Sequence, residues 1–213
     1  MPLPLYFSFF GLTVQLKNRL VLAILAFLAT YVLMVFLWLY LKAFYGAVVT
    51  NVAAHLAALV TGSLVDSISI YDEKAVCNFL YQALTVRGPA NLHFDAVLHV
   101  SQYSYNVPLT VAIVASLLPL IKWRIRFVVE ALFLVFFIHL LYVFFYCVLQ
   151  IYYALVSAGI KRPWKPEQFF WEFSWTFINA MVIRFEPFLI GVFLWFRSSV
   201  KTCSGLKKKK QED

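Results

Sequence analysis

Arg184 and Glu186 lie two residues apart, near the middle of an apolar stretch that runs from about Phe173 to Phe196. A charge at the centre of a bilayer costs at least ~2.5–3.5 kcal/mol on insertion scales, and such residues usually face a protein interior or a watery cavity. On a helix, residues two apart point about 200° away from each other. The two cannot form a simple intrahelical pair, so each needs a partner elsewhere. Glu186 continues a stripe with Glu172, Trp175 and Asn179, while Arg184 faces the other way. Pro187 has no backbone N–H and frees the carbonyl of Ile183, four residues back. A polar spot inside the bundle is therefore expected there.

Partners for these charges are sought in the preceding apolar segment. His139, Tyr142, Tyr146, Gln150 and Tyr153 recur at three and four and so share one helical face. Glu130 lies one turn in from the start of that segment. The spacing predicts that Arg184 pairs with Glu130 or with an acid on another subunit, Glu186 of a neighbouring copy being the second candidate. Glu130, His139, Tyr142, Tyr146, Gln150, Asn179, Arg184 and Glu186 thus form one candidate set. It reads equally as an intramembrane site, a partner interface or a structural salt bridge within the bundle.

The other chemistry-bearing residues suggest less. His93 and His99 share one face of a strand but stand six residues apart, about 20 Å, too far for one metal. With seven glycines in 213 residues, no phosphate-cradling loop is visible. No Ser/His/Asp order is present either. No cofactor and no metal are expected. Cys77, Cys147 and Cys203 fall outside the membrane, within it and on its cytoplasmic side on the topology below, which argues against a disulfide framework.

The elements that position these residues follow from composition. Hydrophobic residues make up 63% of the chain and charged residues 13%, with mean hydropathy +0.82, a profile of an integral membrane protein. The net charge of +8 is not a nucleic-acid signal. Six of the 18 basic residues lie in the tail after the last span, at Arg197, Lys201 and Lys207 to Lys210. Others cluster at Lys122, Arg124 and Arg126. Positive residues mark cytoplasmic loops, so both termini are placed inside. Lys207, Lys208, Lys209 and Lys210 could also touch anionic lipid, though a topology determinant in a disordered tail is the simpler reading.

The expected fold is an all-α polytopic membrane protein of about four helices, with a small extracytoplasmic α/β insertion between the first and second. Residues 1–19 form a cytoplasmic or interfacial N-terminus. Residues 20–62 hold the first transmembrane helix, with 42–62 read as its extension beyond the membrane; a separate span would put the basic clusters outside. Residues 63–106 form a β-element of two or three strands, residues 107–196 a three-helix transmembrane region, and residues 197–213 a basic cytoplasmic tail. Within the β-element, Ser67 to Ile70 alternates like a strand, Phe79 to Arg87 is short and mixed, and Gly88 to Asn91 signals a turn. From Leu92 to Val100, one parity is apolar and the other carries His93, Asp95 and His99, the pattern of a half-buried strand. Spans are expected over 107–121, from Phe127 to about Ala158, and over the stretch around Arg184. Residues 159–171 read as a loop.

Tyr103-Ser104-Tyr105-Asn106-Val107-Pro108-Leu109 leads from the outside strand into a span. With the anchor helix and β-region before it and the basic turn and aromatic span after it, this layout resembles the small membrane proteins found beside exosortase H, the exosortase-associated class. The resemblance implies an accessory role next to a protein-sorting transpeptidase in a bacterial inner membrane, with Tyr103, Tyr105 and Asn106 as extracytoplasmic contacts. It carries over no catalytic residue. The expected function is a non-enzymatic subunit that binds another integral membrane protein or copies of itself. A small oligomeric transporter built on the mid-membrane charges is the alternative, and an enzyme acting through His139 or Glu186 a third reading.

Overall fold

A computed structural model describes the backbone of residues 14–71, 73–85, 88–117 and 125–209, and side chains within 18–71, 73–83, 90–117 and 126–197. The chain is mostly helical, with one small sheet. Helix α1 (Val14–Thr61) is unbroken over 48 residues, which gives a length of about 70 Å. Residues 42–61 belong to it without a break. Gly62 stops it in the left-handed conformation, φ 71°, and lets Ser63 N–H close on the carbonyl of Ala58.

Three strands follow: β1 (Leu64–Tyr71), β2 (Lys74–Thr85) and β3 (Gly88–His99), antiparallel in the order β1-β2-β3. Two expectations are corrected here. The second strand is longer than the short mixed segment read from the sequence, since it begins at Lys74. Gly88 to Asn91 are not a turn but the start of β3, paired with Gln82 to Thr85. Pro89 fits there because β3 is an edge strand, where one missing N–H is tolerated.

The parity read along β3 sets which face is buried. Ala96, Leu98 and Val100 are buried and Leu92 and Phe94 partly so, while His93, Asp95, Val97 and His99 are exposed. The matching face of β2 carries Ala75, Cys77 and Phe79, all fully buried. Phe79 stacks on Phe94 across the pair. This face lies on the C-terminal half of α1, where Val49, Ala53, Ala54, Ala57 and Ala58 let the strands come close. Three strands alone would be marginal; the helix supplies the second layer. The Lys42 ammonium also pairs with the Glu73 carboxylate between β1 and β2, fastening that end of the sheet to α1.

A short helix α2 (Val100–Ser104), a turn at Tyr105 and Asn106, and α3 (Val107–Leu117) lead back along α1. The segment from 103 thus enters through a helix, not straight from a strand. Helix α3 spans about 16 Å over its described residues, and residues 118–124, with Lys122 and Arg124, lie outside the described residues. Gly46 of α1 meets α2 so closely that an added Cβ would stand 2.6 Å from Val100 Cγ1.

Helix α4 (Ile125–Ser157) runs along α1 and ends at Gly159, φ 70°. Helix α5 (Lys165–Phe177) starts six residues before the expected loop ends, with Pro166 in its first turn and Glu167 near its N-terminus. Both residues are helix-start signals, and the reading of 159–171 as a loop overlooked them. A π-helical turn (Ile178–Val182) joins α5 to α6 (Ile183–Lys209). The basic tail expected to be disordered is helical in its backbone as far as Lys209. Lys210, the side chains of Lys207 to Lys209 and that of Cys203 lie outside the described residues. Among the described residues, three helices are long and apolar enough to cross a membrane: 18–61, 126–157 and the continuous 165–197.

Candidate functional site

Glu186 and His139 meet at the centre of the helical bundle. His139 Nε2 lies 2.9 Å from Glu186 Oε2, and both side chains are fully buried. The other ring nitrogen, Nδ1, is 2.7 Å from the Tyr45 hydroxyl of α1. One imidazole therefore joins α1, α4 and α6. Whichever partner holds the proton between His139 and Glu186, both ring nitrogens are satisfied, as burial requires. The Tyr103 ring packs edge-on against the imidazole, and its hydroxyl lies 3.4 Å from Thr50 Oγ1. Burial pushes the Tyr103 phenol up to about 12, so this hydroxyl stays protonated. Glu186 Oε1 is buried without a hydrogen-bond partner among the described residues.

The kink site has the partner that its chemistry demands. Pro187 leaves the Ile183 carbonyl without an intrahelical donor, and the Asn106 side-chain amide donates to it. Asn106 and Tyr103 are 3% and 0% exposed. This corrects their assignment as extracytoplasmic contacts: both are internal, one capping the free carbonyl and one walling the imidazole. Tyr105 alone of the three is exposed.

Arg184 departs most from expectation. Glu130 is taken by two other cations, Arg126 one turn away at 2.9 Å and Arg197 of α6 at 3.0 Å. Glu186 is turned inward to His139. Among the described residues, Arg184 makes no ion pair and is exposed. The predicted opposition of Arg184 and Glu186 around the helix holds, but the first predicted partner within the chain, Glu130, is engaged elsewhere. Arg184 instead lines a cavity of about 400 Å³ with Gln102, Tyr105, Tyr142, Trp175 and Asn179, over Ile183.

The π-helical turn explains why the sequence stripe fails. It adds a residue to one turn, so positions before Ile178 rotate relative to those after Val182. Trp175 and Asn179 therefore share a cavity with Arg184 and not a face with Glu186. Glu172 is elsewhere again, accepting from the Tyr153 hydroxyl at 2.5 Å and the Gln168 amide at 2.8 Å. The polar stripe on α4 also divides. His139 enters the core, Tyr142 walls the Arg184 cavity, and the Tyr146 hydroxyl donates to the Val97 carbonyl of β3 at 2.8 Å. Gln150 is half-buried.

Sequence reasoning missed two further contacts. Tyr45 had no signal beyond its place on an apolar helix. Cys77 and Cys147, which had been assigned to different zones, are in side-chain contact, and both are free and buried. They meet because the sheet folds down onto α4. No group of three or more metal-binding side chains occurs among the described residues. No protein-family model matches this chain, and neither a curated protein nor a solved structure matches it.

Proposed function

We propose that the chain is an integral membrane accessory subunit that binds another membrane protein. In this reading it crosses a bacterial inner membrane four times, with both termini cytoplasmic and α3 with the residues after it as the second crossing. The observation that carries the reading is the state of α1. Only 6% of its most apolar window is buried, against 39% for each of the other two long helices. Its inner half presents Leu25, Leu28, Leu33, Phe36 and Tyr40, all exposed among the described residues.

The central polar cluster supports a scaffolding role. His139 and Glu186 are fully enclosed, so a substrate has no path to them in this conformation. Their chemistry serves to hold three helices in register. The partner proposed on the layout and the 103–109 segment is a protein-sorting transpeptidase of the exosortase kind, with the sheet displayed beside it.

Purification of the full chain from its native membrane in mild detergent tests the reading. A second integral membrane protein in near-equal amount is expected, and peptide sequencing would show whether it is a transpeptidase. Recovery of the chain alone, at its own mass, would contradict the reading. The Arg184 cavity is the one feature that favours the oligomeric transporter instead; liposome flux abolished by Arg184→Gln would mark that alternative.

A further inference from the structure

We propose that the cavity beside Arg184 binds the phosphodiester group of a membrane phospholipid. The inference rests on the membrane-embedded reading above but not on the identity of any protein partner. The walls of the cavity carry one positive charge, and none of its described lining residues is acidic. Its polar groups are the Arg184 guanidinium, the amides of Gln102 and Asn179, the phenols of Tyr105 and Tyr142, and the Trp175 indole.

Two of these groups lack a partner of their own. Arg184 has no carboxylate among the described residues. Trp175 Nε1 is buried and has no hydrogen-bond acceptor among the described residues. A buried donor left unmade is costly, and the indole N–H can only donate. An oxyanion in the cavity would accept from the guanidinium directly, and from the indole N–H, which is shielded in this conformation, once the ring turns toward it. The guanidinium fork suits two oxygens of one phosphate, so the match is one of shape as well as charge.

The surroundings indicate that the anion comes with apolar tails. Phe177, Met181 and Phe185 stand about half exposed on the same helical segment as Asn179 and Arg184. A soluble anion would gain nothing from that flank. A phospholipid would lay its chains there while its phosphate reached the guanidinium. The π-helical turn is what makes this possible, since it brings Trp175, Asn179 and Arg184 to one cavity.

The test uses the full chain in detergent, depleted of lipid, with thermal unfolding followed on titration. Three probes are compared: phosphatidylglycerol, the matching diacylglycerol without a phosphate, and inorganic phosphate. The readout is the rise in Tm over each variant's own lipid-free value, so a change in basal stability does not obscure it. The expected result is a saturable rise with phosphatidylglycerol only. Arg184→Gln and, separately, Trp175→Phe should each weaken apparent affinity about tenfold, the size of one lost charge-assisted hydrogen bond. Arg184→Lys should recover part of the loss. An equal rise with diacylglycerol would overturn the proposal, because the phosphate would then be irrelevant. An equal rise with inorganic phosphate would overturn the lipid source. An undiminished response in both Arg184→Gln and Trp175→Phe would show that the lipid binds elsewhere. A lipid response in a chain that copurifies with no protein would leave this site standing and remove only the subunit reading.

Discussion

At the scale of single residues, two charges within one apolar stretch that look alike in sequence have opposite environments. Glu186 is fully buried and depends on His139; Arg184 is exposed in a cavity and depends on no acid among the described residues. Removing one partner of a buried pair leaves an uncompensated polar group and typically costs ~3–5 kcal/mol. His139→Leu should therefore lower thermal stability strongly in detergent, and Glu186→Leu in the same background should restore much of it. Arg184→Leu should cost far less, and no acid substitution should rescue it. Strong destabilisation by Arg184→Leu that Glu130→Gln relieved would reinstate the pairing that the geometry excludes. The Asn106 contact gives a second prediction. Asn106→Ala leaves the Ile183 carbonyl buried and unpaired, at a cost of ~1–3 kcal/mol. Restoring the intrahelical donor with Pro187→Ala should recover stability in the Asn106→Ala background, as thermal unfolding of the four variants would show; equal losses with and without Pro187 would refute the link.

At the scale of elements, stability depends on how the sheet is held to α1. The Lys42 ammonium beside Glu73 holds that carboxyl below its ordinary value. A depressed carboxyl contributes stability above its unfolded-state value and loses it as pH falls through the folded-state value. The difference in Tm between the wild type and Glu73→Gln should therefore be present at neutral pH and vanish under acid conditions. A difference that persists unchanged below the carboxylate range would show that Glu73 acts by shape alone. Gly46 tests the same junction by packing. An added Cβ would meet Val100 at 2.6 Å, so Gly46→Leu should destabilise by about 1–3 kcal/mol, whereas a similar change at exposed Leu33 should be nearly silent. These elements differ in how well the sequence announces them. The parity of Leu92 to Val100 was readable because a half-buried strand repeats every two residues. The free Ile183 carbonyl was readable because proline removes a donor at a fixed offset. The π-helical turn was not, since one residue inserted into a continuous apolar helix leaves no compositional mark. That single residue separated Glu186 from Trp175 and Asn179. Nor could spacing find Asn106 as the donor, 77 positions from the carbonyl it serves, or bring Cys77 to Cys147. Such pairs are set by how the sheet and helices stack, and local periodicity carries no information about that.

At the scale of the whole molecule, the described residues pack well around the sheet and the C-terminal half of α1 and sparsely around its N-terminal half. The sheet, the outer part of α1 and α4 share one core, and a second, smaller core forms where α3, α4 and α6 meet around Leu194 and Val135, with Trp38 against it. The N-terminal half of α1 shields one face, with Ala23, Phe27, Met34 and Trp38, and leaves the rest exposed, Leu25, Leu33 and Phe36 among it. Lipid could solvate such a helix, but a subunit that works by docking would use it as the free surface. Photocrosslinking discriminates most directly. A benzophenone side chain placed at Phe36, and separately at Leu33, would be activated in the native membrane, with exposed Phe193 on α6 as a comparison site. The expected result is one discrete adduct with a second integral membrane protein from the α1 positions. Lipid adducts alone, or a diffuse ladder identical at all three sites, would contradict the proposal that this chain is a subunit bound through its first helix.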